Sequence, residues 1–155
     1  MIESVGAGGP PNDAAQKRAD GIAAEFAELE PRERLELLLE FADKLRPLAA
    51  EHQQERDEGL GRVPECQTPV FLWVELIDGR VHIDADVAPE APTVKGFVSV
   101  LVEIFEGATL AESLAIEPNF VHRFGLADSL GMVRMRGLGA IAHTIRQKVA
   151  RATQT

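Results

Sequence analysis

Two spacings of apolar residues divide the chain. Ile22, Phe26 and Leu29 recur at steps of four and three, which predicts a helix over 14–29 with a narrow apolar stripe. Pro31 suits a first helical position, and Leu35, Leu38, Leu39, Ala42 and Leu45 keep helical spacing until Pro47 stops the run. The stretch "AAEHQQERDEGLGR" that follows is charged, with two glycines and no sustained apolar period beyond a short helical extension, and reads as a solvated connection.

At Val70 the period changes. From there to Ile77 every residue but Glu75 is β-branched, aromatic or Leu. Asp78-Gly79 offers a turn with positive φ, and Val81, Ile83 and Ala85 then alternate with His82, Asp84 and Asp86. This is a β-hairpin. Its first strand has apolar residues on both faces and should be the more deeply buried of the two.

A helix is predicted over 92–106, apolar nearly all round through Val94, Phe97, Val98, Val100, Leu101, Val102, Ile104 and Phe105, and ended by Gly107. It is the central core helix. Thr109 and Glu112 form a capping-box pattern for a short helix, residues 118–124 suit another, and Leu138, Ile141, Ile145 and Val149 predict a last helix over 137–150. The expected fold class is α+β, a small antiparallel sheet made of the hairpin with room for a third strand, packed among several helices. Residues 1–12, rich in Gly and Pro, read as a disordered tail, 13–150 as one domain and 151–155 as a second tail.

Composition narrows the function classes. With 155 residues, 45% of them hydrophobic, the chain suits one domain with a single core. The 25 acidic residues outnumber 16 basic ones for a net charge of −9, and no Lys/Arg cluster offsets this locally. Such a surface repels phosphate backbones and anionic lipid, so neither nucleic acid nor a membrane is an expected partner. The N-terminus lacks the basic start and apolar stretch of a signal peptide, and the expected location is cytoplasmic. One cysteine can form neither an internal disulfide nor a multi-thiolate metal site, and no metal is expected.

That cysteine, Cys66, lies in "VPECQTPVFLWVEL" among Pro64, Glu65, Gln67, Thr68 and Pro69, none a good core former. A lone cysteine is most often a small buried hydrophobe. Here its neighbours predict a stiff loop leading into the strand, where a thiol is placed to meet a partner. Glu65 disfavours the thiolate at rest. A self-contained cysteine enzyme would need a base, and His52, His82, His122 and His143 each read more simply as surface or structural residues. No phosphate loop, metal-binding histidine spacing or diagnostic carboxylate pair is present.

Three segments resemble those of the SufE-like sulfur acceptors. "ECQTPVFLWVEL" is similar to that family's Gly-Cys-Gln-Ser segment and aromatic strand, "PTVKGFVSVLVEIFEG" to its Val-Lys/Arg-Gly helix, and "LADSLGMVRMRGLGAIAHTIR" to its Arg-x-x-Gly-Leu helix. They occur in the family's order. The resemblance implies a SufE/IscU-like fold and a protein that accepts persulfide sulfur from a pyridoxal-phosphate (PLP) cysteine desulfurase of the SufS kind, stimulates it, and relays the sulfur to iron–sulfur scaffold proteins. PLP is expected on the partner and no cofactor on this chain. Cys66 matches the acceptor thiol, which the resemblance places in an apolar shelter until the partner docks. Gln67, Lys95, Gly96, Arg134 and Gly137 match residues of that family's motifs, and with Glu65 and Thr68, which stand at positions of the same loop, they are the residues that the resemblance implies for the loop and for partner docking. Glu65 replaces the family's Gly and Thr68 its Ser, Pro89 stands where Ser is frequent, and "RMRG" replaces Arg-Ser-x-Gly. Gly96 and Gly137 suit close packing. Two rival readings are a binding module that docks a desulfurase without carrying sulfur, and a stand-alone thiol enzyme.

Overall fold

The computed structural model describes residues 12–64 and 68–152. Cys66, with Glu65 and Gln67, lies outside the described residues, as do 1–11 and 153–155.

Helix α1 (Ala14–Ala27) buries Ala15, Ala19, Ile22, Ala23 and Phe26 along one stripe. Helix α2 (Pro31–Ala42) starts with Pro31 in its first turn and with the Glu30 amide donating to Glu33 Oε1 at 3.0 Å. It buries Leu38, Phe41 and Ala42. Leu39, assigned to the same stripe from its spacing, is 42% exposed, because it lies about 100° round the helix from Leu38.

The sequence reading of 49–62 as a solvated connection is corrected by a further short helix. Residues Ala50–Asp57 form α3, which buries none of its own residues and is held by polar contacts that leave no apolar period to detect. Strands β1 (Val70–Ile77) and β2 (Arg80–Val87) pair antiparallel from Val70 opposite Val87 to Ile77 opposite Arg80. Asp78 and Gly79 both take positive φ, 54° and 79°, as the tight turn requires. Among the described residues the sheet has two strands, extended by single bridges from Arg62 to Phe71 and from Arg80 to Thr109. No third strand forms there.

The burial order of the two strands is the reverse of the expectation. β2 buries Val81, Ile83, Asp84, Ala85 and Val87, whereas β1 buries Val70 and Leu72 alone. The inner face pairs Val70 with Val87, Leu72 with Ala85 and Val74 with Ile83; the outer face carries Trp73 under His52 of the small helix α3, with Phe71 beside it. Beyond Glu75 the first strand outruns its cover, and Ile77 is half exposed.

Helix α4 (Pro92–Phe105) occupies the centre, with Phe97, Val98, Val100, Leu101, Ile104 and Phe105 wholly buried. Each such side chain contributes roughly 1.5–3 kcal/mol of burial. Around it lie α5 (Leu110–Leu114), a 3-10 turn (Phe120–Phe124), α6 (Ala127–Leu130) and α7 (Met132–Ala152). Thr109 caps α5 through the reciprocal contacts expected of it, at 3.1 Å each way with Glu112. Helix α7 buries Leu138, Ile141, Ile145 and Val149 as expected, but starts five residues earlier, so Arg134 lies within it instead of before it and Gly137 is an interior position instead of its first.

Candidate functional site

The two described flanks of the Cys66 segment are held to the sheet. On one side the Val63 amide donates to the Val70 carbonyl at 2.8 Å, and the Leu72 amide to the Gly61 carbonyl at 2.8 Å. On the other, the Ala88 amide donates to the Pro69 carbonyl at 3.2 Å. Val63 is therefore tied to the start of β1, which is buried at Val70 and Leu72, and Pro69 to the residue that follows β2. The sequence supplies the reason: an apolar strand must dock, and the prolines at 64 and 69 lack the amide that would extend the ladder.

A cleft of about 820 Å³ opens beside the Thr68 end of this segment. Thr68 and Pro69 form one edge, Ala88 to Val94 the β2–α4 wall, and Leu130 to Ala140 the α6–α7 wall. The lining is mainly aliphatic. Its charged groups are Glu90 on one wall and Arg134 and Arg136 on the other. Both arginines are exposed and make no ion pair among the described residues, whereas Arg18, Arg34, Arg46, Arg80 and Arg146 are each engaged with backbone carbonyls. At the same end, Met132 and Val133 are 62% and 73% exposed, an unusual placement for two apolar side chains in the first turn of a helix.

Of the residues singled out from sequence, Thr68, Arg134 and Gly137 meet at this cleft. Lys95 does not line it; it stands in the first turn of α4, its amide bonded to the Ala91 carbonyl. The two glycines part company. A Cβ on Gly96 would stand 2.0 Å from the Leu38 carbonyl oxygen, so α2 and α4 touch backbone to backbone there. A Cβ on Gly137 would meet nothing within 4 Å, which corrects its assignment to close packing. Glu90, Leu130 and Val133 were missed, since only the fold brings them together.

None of the four histidines lines the cleft. His52 Nδ1 pairs with Asp84 Oδ2 at 2.5 Å and its ring stacks on Trp73, so it is no mere member of a solvated connection. His82 Nδ1 lies 2.9 Å from Glu106 Oε2, and His122 and His143 are exposed. Two ionisable groups among the described residues are clearly shifted. The Gln16 side chain, and after it Arg123, hold the Asp20 carboxyl below its ordinary value; hydrogen bonds to Asp86 and Asp57 raise that of Arg56. Neither is at the cleft. Among the described residues no group of three or more His, Cys, Asp or Glu could hold a metal ion, and no helix is long and apolar enough to cross a membrane.

Both the sequence and the fold match known proteins. The family model described as SufE, Fe-S metabolism associated domain, matches residues 20–149. An uncharacterized SufE-like protein of Mycobacterium tuberculosis strain H37Rv is 36% identical over 132 residues, 84% of this chain and 90% of that one. Another, from Synechocystis, is 30% identical over 119 residues, 77% of this chain and 71% of the relative. The solution structure of a hypothetical protein from Thermus thermophilus superposes with a TM-score of 0.75 at 31% identity, covering 89% of this chain and 97% of that one. The order of helices about one hairpin, the bracketed cysteine segment and these matches along most of each chain agree: the protein belongs to the SufE family of Fe–S metabolism.

Proposed function

We propose that this protein is a sulfur acceptor that takes persulfide sulfur from a SufS-type, PLP-dependent cysteine desulfurase onto Cys66, stimulates that enzyme by emptying it, and relays the sulfur to iron–sulfur cluster assembly. It acts as an accessory in the cytoplasm and is not itself an enzyme. PLP belongs to the partner, and this chain contributes the thiol.

The observation that carries the reading is the position of the only cysteine in the chain. It falls in a segment whose described flanks are hydrogen bonded to the sheet, Val63 at the start of β1 and Pro69 beyond the end of β2, and whose Thr68 end borders the cleft. That cleft presents two guanidinium groups with no ion pair among the described residues. Family membership supports the coarser role in Fe–S metabolism. Chemically, the Cys66 thiolate attacks the outer sulfur of the donor's persulfide. The donor's S–S bond breaks as the new one forms, and the donor leaves as a thiolate. A chain with one cysteine has no second thiol to expel the cargo as an internal disulfide.

The remaining residues have supporting roles in this reading. Arg134, with Arg136, receives acidic groups of the desulfurase, and the aliphatic lining with Met132 and Val133 receives its apolar ones. Gly137 leaves the cleft wall open, and Thr68, with Glu65 and Gln67, shapes the thiol's surroundings. The test is steady-state desulfurase activity with wild type and Cys66→Ser. A sulfur acceptor loses its stimulation with the thiol; stimulation that survives would assign the protein to the binding modules.

A further inference from the structure

The outer face of the hairpin carries a buried charged group with no part in the cleft. Asp84 is 7% exposed, and one of its oxygens, Oδ2, accepts both the Ala49 amide at 3.1 Å and His52 Nδ1 at 2.5 Å. The His52 ring in turn lies on the Trp73 indole, centroids 4.6 Å apart and planes within 12°. One turn on, Arg56 Nη1 reaches Asp86 Oδ2 at 3.0 Å. These contacts are what fasten α3, a helix with no buried residue of its own, to the sheet.

The six-membered ring of Trp73 also meets Gly61. A Cβ there would stand 2.7 Å from indole Cζ2, so the backbone at Gly61 rests on the ring, and its carbonyl accepts the Leu72 amide two residues before Val63 bonds to Val70. A continuous series of contacts runs from Asp84 through His52 and Trp73 to Gly61 and the first flank of the Cys66 segment. Burying a carboxylate costs stability unless it is paired, and an eight-residue helix gains little by itself, so this clasp has an expense that α3's own packing does not repay.

We propose that His52 is a positioning residue for the described flank that leads to Cys66: held between Asp84 and the Trp73 ring, it keeps α3 and the Gly61–Val63 strap on the sheet, and the reactivity of the thiol depends on that hold. The step it serves rests on the sulfur-acceptor reading above. Its effect on the thiol does not.

The experiment uses the full chain as wild type, His52→Ala and His52→Asn. Asparagine can place an amide N–H near the position of Nδ1 and so restore the bond to Asp84. Alkylation by iodoacetamide reads Cys66 alone, since the chain has no other cysteine, and emission from the only tryptophan reads the Trp73 stack. His52→Ala is expected to alter Trp73 emission, change the rate of alkylation about tenfold and slow sulfur transfer from a desulfurase by a similar factor, with the half-saturating concentration unchanged, since loss of positioning away from the chemistry costs rates of this order. His52→Asn recovers most of both rates. Melting curves confirm that all three are folded at the assay temperature. Alkylation and transfer within twofold of wild type for His52→Ala, or losses that His52→Asn fails to recover, overturn the proposal. If alkylation changes as expected while even wild type takes up no sulfur, the positioning of the thiol is upheld and the sulfur-acceptor reading falls.

Discussion

Gly96 in α4 meets the Leu38 carbonyl of α2 so closely that an added Cβ would stand 2.0 Å from the oxygen and 2.7 Å from its carbon. The obstacle is backbone on both sides, so no side chain can turn away to relieve it. Gly96→Ala is expected to force the central helix off α2 and to lower unfolding free energy by about 3 kcal/mol, the upper range for overpacked cores. Urea unfolding followed by far-ultraviolet circular dichroism measures it.

Gly137 should respond in the opposite sense. It lies inside α7, where glycine costs about 0.5–1 kcal/mol relative to alanine, and the space above it is open. Gly137→Ala is expected to raise the urea midpoint. Because the new methyl group enters the cleft, it should also raise the concentration that half-saturates a desulfurase.

The two glycines show what was legible in the sequence. Core helix α4, the hairpin turn at Asp78-Gly79 and the α7 stripe were readable because local periodicity and turn chemistry determine them. Helix α3 was not: "AEHQQERD" has no apolar stripe, and the Asp84 that holds its His52 lies 32 residues away. The burial order of the strands failed for the same reason, since Trp73 looks like a core residue until His52 of α3 is known to stack on it. At the site, the cleft residues Thr68, Arg134 and Gly137 were identified, while Lys95 lies off the cleft and Glu90 joins it only through the fold.

Arg134 and Arg136 make no ion pair among the described residues, so charge reversal should spare the fold. The double change Arg134→Glu, Arg136→Glu is expected to leave the melting temperature within a degree or two. It should weaken half-saturation of a desulfurase roughly tenfold at low salt, with the difference shrinking as salt rises. Titrating desulfurase activity against each variant at two ionic strengths reads both effects.

Asp20 gives a pH signature. The Gln16 amide donates to it at 2.9 Å and Arg123 pairs with it, which holds its carboxyl below the ordinary value of 3.8. A carboxyl lowered on folding stabilises the fold fully above its unfolded pKa and loses that contribution as pH falls through the lower folded value. Wild type should therefore exceed Asp20→Asn in urea midpoint at neutral pH, with the gap closing below about pH 4. A gap independent of pH would contradict this.

The most direct test of sulfur acceptance is intact-protein mass spectrometry after incubation with a SufS-type desulfurase and cysteine, comparing wild type with Cys66→Ser. The account predicts that wild type gains the mass of sulfur, that dithiothreitol removes it, and that Cys66→Ser gains none. A wild type that stays at its original mass while the desulfurase is still stimulated would contradict it.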